Sequence, residues 1–273
     1  MKKYIFFLPI LWISCTGSKD ETTTSDEPDI VTEEITYTSD TVEMKGFLAY
    51  DANQKEKRPG ILVVHEWWGQ TDYPKERAKM LAQLGYTAMA VDMYGGGQIA
   101  EHPQDAGVFS GHVMSDIDGA TARFMAALEV LKQHTSVDTE RLGAIGYCFG
   151  GTVVLTMGRI INELDGVAAF HAGLGIPVPP TSEMNTVFLI CNGADDSFVS
   201  SESIAKFKMQ MDSVGADYRY IDFAGAVHGF TNPGADEYGQ KFEIPLAYNS
   251  QADLESWEDM KNFFDRLFNE NQE

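Results

Sequence analysis

The sequence predicts an α/β protein with a mostly parallel central sheet and helices on both faces. Three observations predict it. Short runs of β-branched and aliphatic residues take turns with longer stretches whose apolar residues recur at helical spacing, the order that crossover connections produce. Several short runs, Ile61-Leu62-Val63-Val64 above all, are apolar without alternation, as strands covered on both faces are. The 273 residues are 44% hydrophobic and 22% charged, an ordinary globular composition for a chain large enough to build a core without disulfide staples.

In chain order, residues 1–14 read as a secretory signal. A basic Met1-Lys2-Lys3 start precedes an apolar run from Tyr4 to Ile13, too short for a bilayer span of about 20 residues. The alternative is an N-terminal core strand. Leu11-Trp12-Ile13-Ser14-Cys15 is similar to a bacterial lipoprotein box, with Trp12 where Leu is usual; that likeness implies lipidation at Cys15. Residues 15–34 hold almost no apolar side chains and read as a flexible acidic tether. The acid-rich stretch after Cys15 looks like a signal that sends lipoproteins to the outer membrane. The expectation is an exported protein anchored there, on its periplasmic or cell-surface face, touching the membrane only through the lipid.

The folded part is expected over 35–273. Ile35 to Thr38 and Val42 to Tyr50 partly alternate, as half-buried strands do, and Asp40-Thr41 between them suggests a hairpin. Pro59-Gly60 punctuates before the strand Ile61 to His65. Helices are predicted over about 74–84, 115–134, 149–163, 200–214 and 250–269. Strands are predicted at Thr87–Asp92, Leu142–Gly146, Val167–Phe170, Val187–Cys191 and Tyr218–Phe223. Parallel strands joined by helices follow, with an antiparallel start.

Charge narrows the partners. The chain has 20 Lys+Arg against 41 Asp+Glu, a net charge of −21. Loss of residues 1–14, with two lysines and no acid, takes this to −23. Such a chain repels polyphosphate, so no nucleic-acid partner is expected. Three Cys make no disulfide framework.

The chemistry concentrates in three loops. Arg141 to Tyr147 runs as a strand into Gly146-Tyr147-Cys148-Phe149-Gly150-Gly151, and a helix follows. A Gly-x-Ser-x-Gly elbow presents its nucleophile on such a turn, and here Cys148 takes that place. The helix start beneath it offers free N–H groups and a positive dipole end, which favour a thiolate. Leu189 to Asp196 is a strand ending in an acidic loop, and Ala224 to Phe230 carries His228 just past the last predicted strand. The order Cys148, Asp, His228 is that of nucleophile, acid and base in α/β-hydrolases. Each lies beyond the carboxyl end of a strand, where parallel sheets build their sites.

At these residues the chain resembles the dienelactone hydrolase family. His65-Glu66-Trp67-Trp68-Gly69, Gly146 to Gly151, Gly193-Ala194-Asp195-Asp196-Ser197-Phe198-Val199 and His228-Gly229-Phe230 carry the likeness, which runs from about 35 to 270. It implies the α/β-hydrolase fold, a Cys148-His228-Asp196 triad and a Glu66 that hydrogen-bonds the resting thiol. It also implies an oxyanion hole from the backbone N–H groups of Trp67 and Phe149. The arginines with which dienelactone-cleaving relatives grip a substrate carboxylate have no counterpart here: Gly95-Gly96-Gly97 stand at one place and Asn232 at the other. A neutral ester, lactone or thioester is therefore expected, with a thioester acyl-enzyme and no cofactor. Runners-up are a peptidase or acyltransferase on the same machinery, or a non-catalytic binding lipoprotein.

The other residues get plainer readings. Trp68, Tyr94, His171 and Phe230 are assigned to the substrate pocket, with His171 alternatively satisfying a backbone group. Cys191 reads as a buried strand residue, since an intervening strand puts it near twice 4.8 Å from Cys148, beyond disulfide reach of about 7 Å. His65, His171 and His228 share no local ligand spacing, so no metal is expected. Gly95-Gly96-Gly97 lacks the lysine of a phosphate loop and reads as a pocket loop or a turn. The expected assembly is a monomer or weak dimer.

Overall fold

The computed structural model describes Met1 and residues 27–269. The predicted signal, Cys15 and most of the tether lie outside the described residues. The strands are β1 (Ile30–Ser39), β2 (Val42–Asp51), β3 (Arg58–Val64), β4 (Thr87–Val91), β5 (Val137–Tyr147), β6 (Gly166–Phe170), β7 (Val187–Gly193) and β8 (Tyr218–Phe223). The helices are α1 (Asp72–Gln83), α2 (Pro103–Ser115), α3 (Ile117–Gln133), α4 (Phe149–Met157), α5 (Ser201–Ser213), α6 (Ala235–Phe242) and α7 (Ser250–Asn269).

The strands form one eight-stranded sheet in the order β1-β2-β4-β3-β5-β6-β7-β8. The β1–β2 and β2–β4 pairs are antiparallel. From β4 to β8 every neighbour is parallel. Successive residues of β3 serve opposite faces: Ile61 and Val63 pack with α1 and α7, while Leu62 and Val64 pack with α3, α4 and α5. Alternation of direction along a wholly apolar strand is what burial on both faces requires. No helix of the described residues is long and apolar enough to cross a membrane.

Several elements depart from expectation, and among them β5 begins at Val137 rather than Leu142. Strand β1 starts at Ile30, inside the stretch read as tether. Its Glu33 and Glu34 pair with Leu48 and Phe47 across an edge strand, where backbone bonding tolerates exposed acids. Helix α4 stops at Met157, because Gly158 caps it and turns follow. Helices α2 and α6 were not anticipated. Helix α2 buries Ala106 and Val113 alone in full and carries two interior glycines, so its periodicity is faint. The hairpin at Asp40 is present, with φ of 51° at that residue.

Candidate active site

Strand β5 delivers Cys148 to the sheet's carboxyl edge and α4 begins at the next residue. The backbone there turns sharply: Cys148 holds φ 55° and ψ −115°, a region that residues with a side chain rarely adopt. Close packing holds the turn. A Cβ at Gly146 would collide with the Gly150 carbonyl, and one at Gly150 with that of Val64. The N–H of Cys148 donates to the Phe170 carbonyl at 3.0 Å, which ties the elbow to β6.

Two loops complete the constellation. Asp196 follows β7, and its Oδ1 accepts from the N–H of Phe198 at 2.9 Å. His228 follows β8, and its Nδ1 donates to Asp196 Oδ2 at 2.8 Å. The other nitrogen, Nε2, lies 3.0 Å from Cys148 Sγ. Burial pulls the His228 pKa down, but the charge of Cys148 and the hydrogen bonds from Asp196 and Cys148 outweigh it and raise it to about 10.

Glu66 sits elsewhere than expected. Its carboxylate accepts from Asn232 Nδ2 at 2.6 Å and makes no hydrogen bond to Cys148. The Asn232 amide is oriented by its own Oδ1, which accepts from the Gly234 N–H at 2.8 Å. The amide thus presents its donor to Glu66, and the thiol's partner is His228. Burial raises the Glu66 pKa to about 7, against the lowering effects of Asn232, His228 and Arg77.

Neither Trp67 N–H nor Phe149 N–H donates to the protein, and both residues line a cavity of about 350 Å³ that also holds Cys148 and His228. The buried His65 shapes the loop before Trp67. Its Nδ1 donates to the Glu66 carbonyl at 2.5 Å and its Nε2 accepts from the Met93 N–H at 3.2 Å, which fixes a neutral ring.

Of the residues assigned to the pocket, none lines this cavity. Trp68 is stacked on Tyr238 at 4.4 Å and on Phe242 at 5.7 Å, packed by α6. Tyr94 lies behind the wall, its hydroxyl donating to the Trp67 carbonyl at 2.9 Å. Phe230 is buried against His171 and Phe223. His171 lies edge-on to His228 at 5.2 Å, and its Nε2 bonds the Thr231 hydroxyl at 2.8 Å. Burial, with the charges of His228 and Arg77, holds its pKa well below the usual imidazole value. Cys191 is fully buried in β7. Gly95-Gly96-Gly97 form a turn: the Asp92 carboxylate accepts from the N–H groups of Tyr94, Gly95 and Gly97.

The walls come from residues that sequence reasoning passed over: Phe198 and Leu246 at the His228 side, Thr152 on α4, and Gly107, Ser110, Gly111 and Met114 on α2. The last four have i, i+3, i+4, i+7 spacing, a readable signal once α2 is recognised as a helix. Among the described residues lining the cavity there is no Lys, Arg, Asp or Glu. Among the described residues no group of three or more His, Cys, Asp or Glu is arranged to hold a metal.

Comparison with known proteins agrees on one lineage. Residues 44–268 match the profile described as "Dienelactone hydrolase family". The structure called "m3DLH" superposes with a TM-score of 0.82 at 33% identity, over 87% of this chain and 98% of that one. A dienelactone hydrolase-like promiscuous phosphotriesterase, P91 from metagenomic libraries, gives 0.81 at 31% identity, over 87% and 98%. A relative from Aquifex aeolicus, provisionally named carboxymethylenebutenolidase, is 27% identical over 82% of this chain and 93% of its own length.

Proposed function

The chain belongs to the dienelactone hydrolase family, a lactone or ester hydrolase, and from that premise we propose that it cleaves neutral esters or lactones through a thioester on Cys148. The observation that carries the reading is the hydrogen-bonded line from Asp196 through His228 to the Cys148 sulfur, opening on a cavity with no charged wall among the described residues.

In the first step His228 Nε2 takes the thiol proton as Sγ attacks the carbonyl carbon. The carbonyl oxygen becomes an oxyanion facing the N–H groups of Trp67 and Phe149, where each such donor is worth about 3 kcal/mol or more in the transition state. The tetrahedral adduct collapses, the C–O bond to the alcohol breaks, and His228 Nε2–H protonates the leaving oxygen. Having given up that proton, His228 Nε2 is free to act as the base of the second step. In the second step His228 takes a proton from water, the hydroxide oxygen adds to the thioester carbon, and collapse expels Sγ and frees the acid. Asp196 holds the imidazole tautomer throughout.

The walls support a neutral substrate. An anionic lactone would gain no charge-assisted bond, each worth about 1.5–3 kcal/mol, and Asn232 is already engaged by Glu66. The test is turnover of p-nitrophenyl acetate against dienelactone. Faster hydrolysis of the neutral ester, abolished in Cys148→Ala, is expected; equal rates on both would overturn the neutral preference. A second reading, phosphotriester cleavage, is favoured by the likeness to the P91 phosphotriesterase, and release of p-nitrophenol from a neutral aryl phosphotriester tests it.

Export and lipid anchoring at Cys15 complete the proposal, supported by the basic start, the short apolar run and Ser14-Cys15. Fatty-acid label is expected on the wild-type chain and absent from Cys15→Ala.

A further inference from the structure

The cavity that holds Cys148 has a volume of about 350 Å³, and residues of α2 line it. Gly107, Ser110, Gly111 and Met114 of that wall share one helix face. A Cβ built at Gly107 or Gly111 meets no atom within 4 Å. The glycines of the elbow are different, since a Cβ at Gly146 or Gly150 collides with backbone. No neighbouring protein atom therefore requires glycine at 107 or 111. Both lie in a helix interior, where glycine is less favourable than alanine because it surrenders more backbone entropy. Both glycines are exposed, so the space they leave open has no packing role in the fold, and both line the cavity that holds the nucleophile.

We propose that the Gly107–Gly111 face of α2 is the acyl wall of the site, and that the preferred substrate is a neutral ester with an extended apolar acyl chain. The proposal rests on the hydrolase reading above and deepens it. Chemistry sets the direction of the chain. The leaving alcohol takes its proton from His228, so it occupies that edge of the cavity, beside Phe198, which is 53% exposed and stacked edge-on to the imidazole at 4.9 Å. The acyl group stays bonded to Sγ through the second step and takes the rest of the cavity. Phe149 lines that cavity with the α2 face, and the flexible Met114 thioether of that face adapts to an aliphatic neighbour.

The experiment compares p-nitrophenyl acetate, butyrate, hexanoate and octanoate on the full-length chain and on Gly107→Leu, Gly111→Leu, Gly111→Ala and Val108→Leu. The wild type is expected to favour hexanoate over acetate in kcat/KM. Both leucine variants should lower that ratio by about tenfold or more, the scale of discrimination that a few methylenes give. Gly111→Ala should lower it less while raising the thermal midpoint by a few degrees, which shows that glycine there opposes stability. Val108, 63% exposed and outside the cavity wall, should leave the ratio as it is. Ratios within about twofold of wild type in both folded leucine variants would overturn the proposal, as would a wild type that favours acetate. A wild type releasing p-nitrophenol from none of the four overturns the hydrolase reading itself, and that result is visible before any variant is made.

Discussion

Glu66 shows how a single buried carboxyl couples site chemistry to stability. It is 6% exposed, and its carboxylate accepts one hydrogen bond, from Asn232. Its pKa in the folded chain, about 7, lies above the ordinary 4.5. A raised value means the folded state binds the proton more tightly than the unfolded one. The stabilisation is complete below about pH 4.5 and is lost as pH rises through about 7. A gap of about 2.5 units corresponds to roughly 3 kcal/mol. Glu66→Gln keeps an acceptor for Asn232 without titrating. Relative to the variant, the wild type is expected to lose stability in urea unfolding between pH 5 and pH 8, leaving the variant about 2–3 kcal/mol more stable at pH 8. Parallel pH profiles for the two proteins would contradict this account of Glu66.

Two helices far apart in sequence hold the loop that bears His228. Arg77 on α1 donates to the Thr231 carbonyl at 2.6 Å and pairs with Asp253 on α7 at 2.5 Å. Its Nε donates to the Tyr73 hydroxyl at 3.2 Å, and that hydroxyl meets Thr231 Oγ1 at 2.6 Å. The Thr231 hydroxyl bonds His171, which packs against the His228 ring. The Arg77 and Asp253 side chains are 5% and 13% exposed, so removing the cation leaves a buried acid unpaired. Arg77→Met is expected to lose about 3–5 kcal/mol in urea unfolding and to lower kcat as the His228 loop loosens. Asp253→Asn, which keeps an acceptor, should lose less. A loss below about 1 kcal/mol in Arg77→Met would show the tie to be incidental.

The same elements mark how far the fold is legible in the sequence. Strands β3 to β7 announce themselves because burial on both faces demands apolar runs, whereas the edge strand β8, with Arg219 and Asp222, is only partly covered. Helix α2 does not, since its functional face is glycine and serine and its stripe of apolar residues is thin. Cys148, His228 and an acid at 195 or 196 can be placed from sequence because each follows a strand end in a turn of recognisable composition, and the choice of Asp196 rests on the family resemblance. The pocket is harder. Whether Trp68 faces the cavity or the rings of Tyr238 and Phe242 depends on where α6 docks, and no local pattern reports that. Asn232 stands out in sequence as an absent arginine, but its grip on Glu66 emerges only when two loops, 166 residues apart, meet.

For the molecule as a whole, the charge imbalance sets an outer field. With 41 acids against 20 bases, the surface repels anions, and salt screens that repulsion with a Debye length of about 10 Å at 0.1 M. For an anionic ester, kcat/KM is expected to rise several-fold from low salt to 0.5 M, while a neutral ester of similar size changes by less than about twofold. Equal salt responses would show that the field does not select the substrate.

The most direct test of the account is mass spectrometry of the chain quenched during turnover of p-nitrophenyl acetate. The account predicts a single acetyl group on Cys148, which accumulates in His228→Ala if acylation outlasts the loss of its base, and which is missing, along with turnover, in Cys148→Ala. Acetyl on another residue, or undiminished ester hydrolysis by Cys148→Ala, would contradict it.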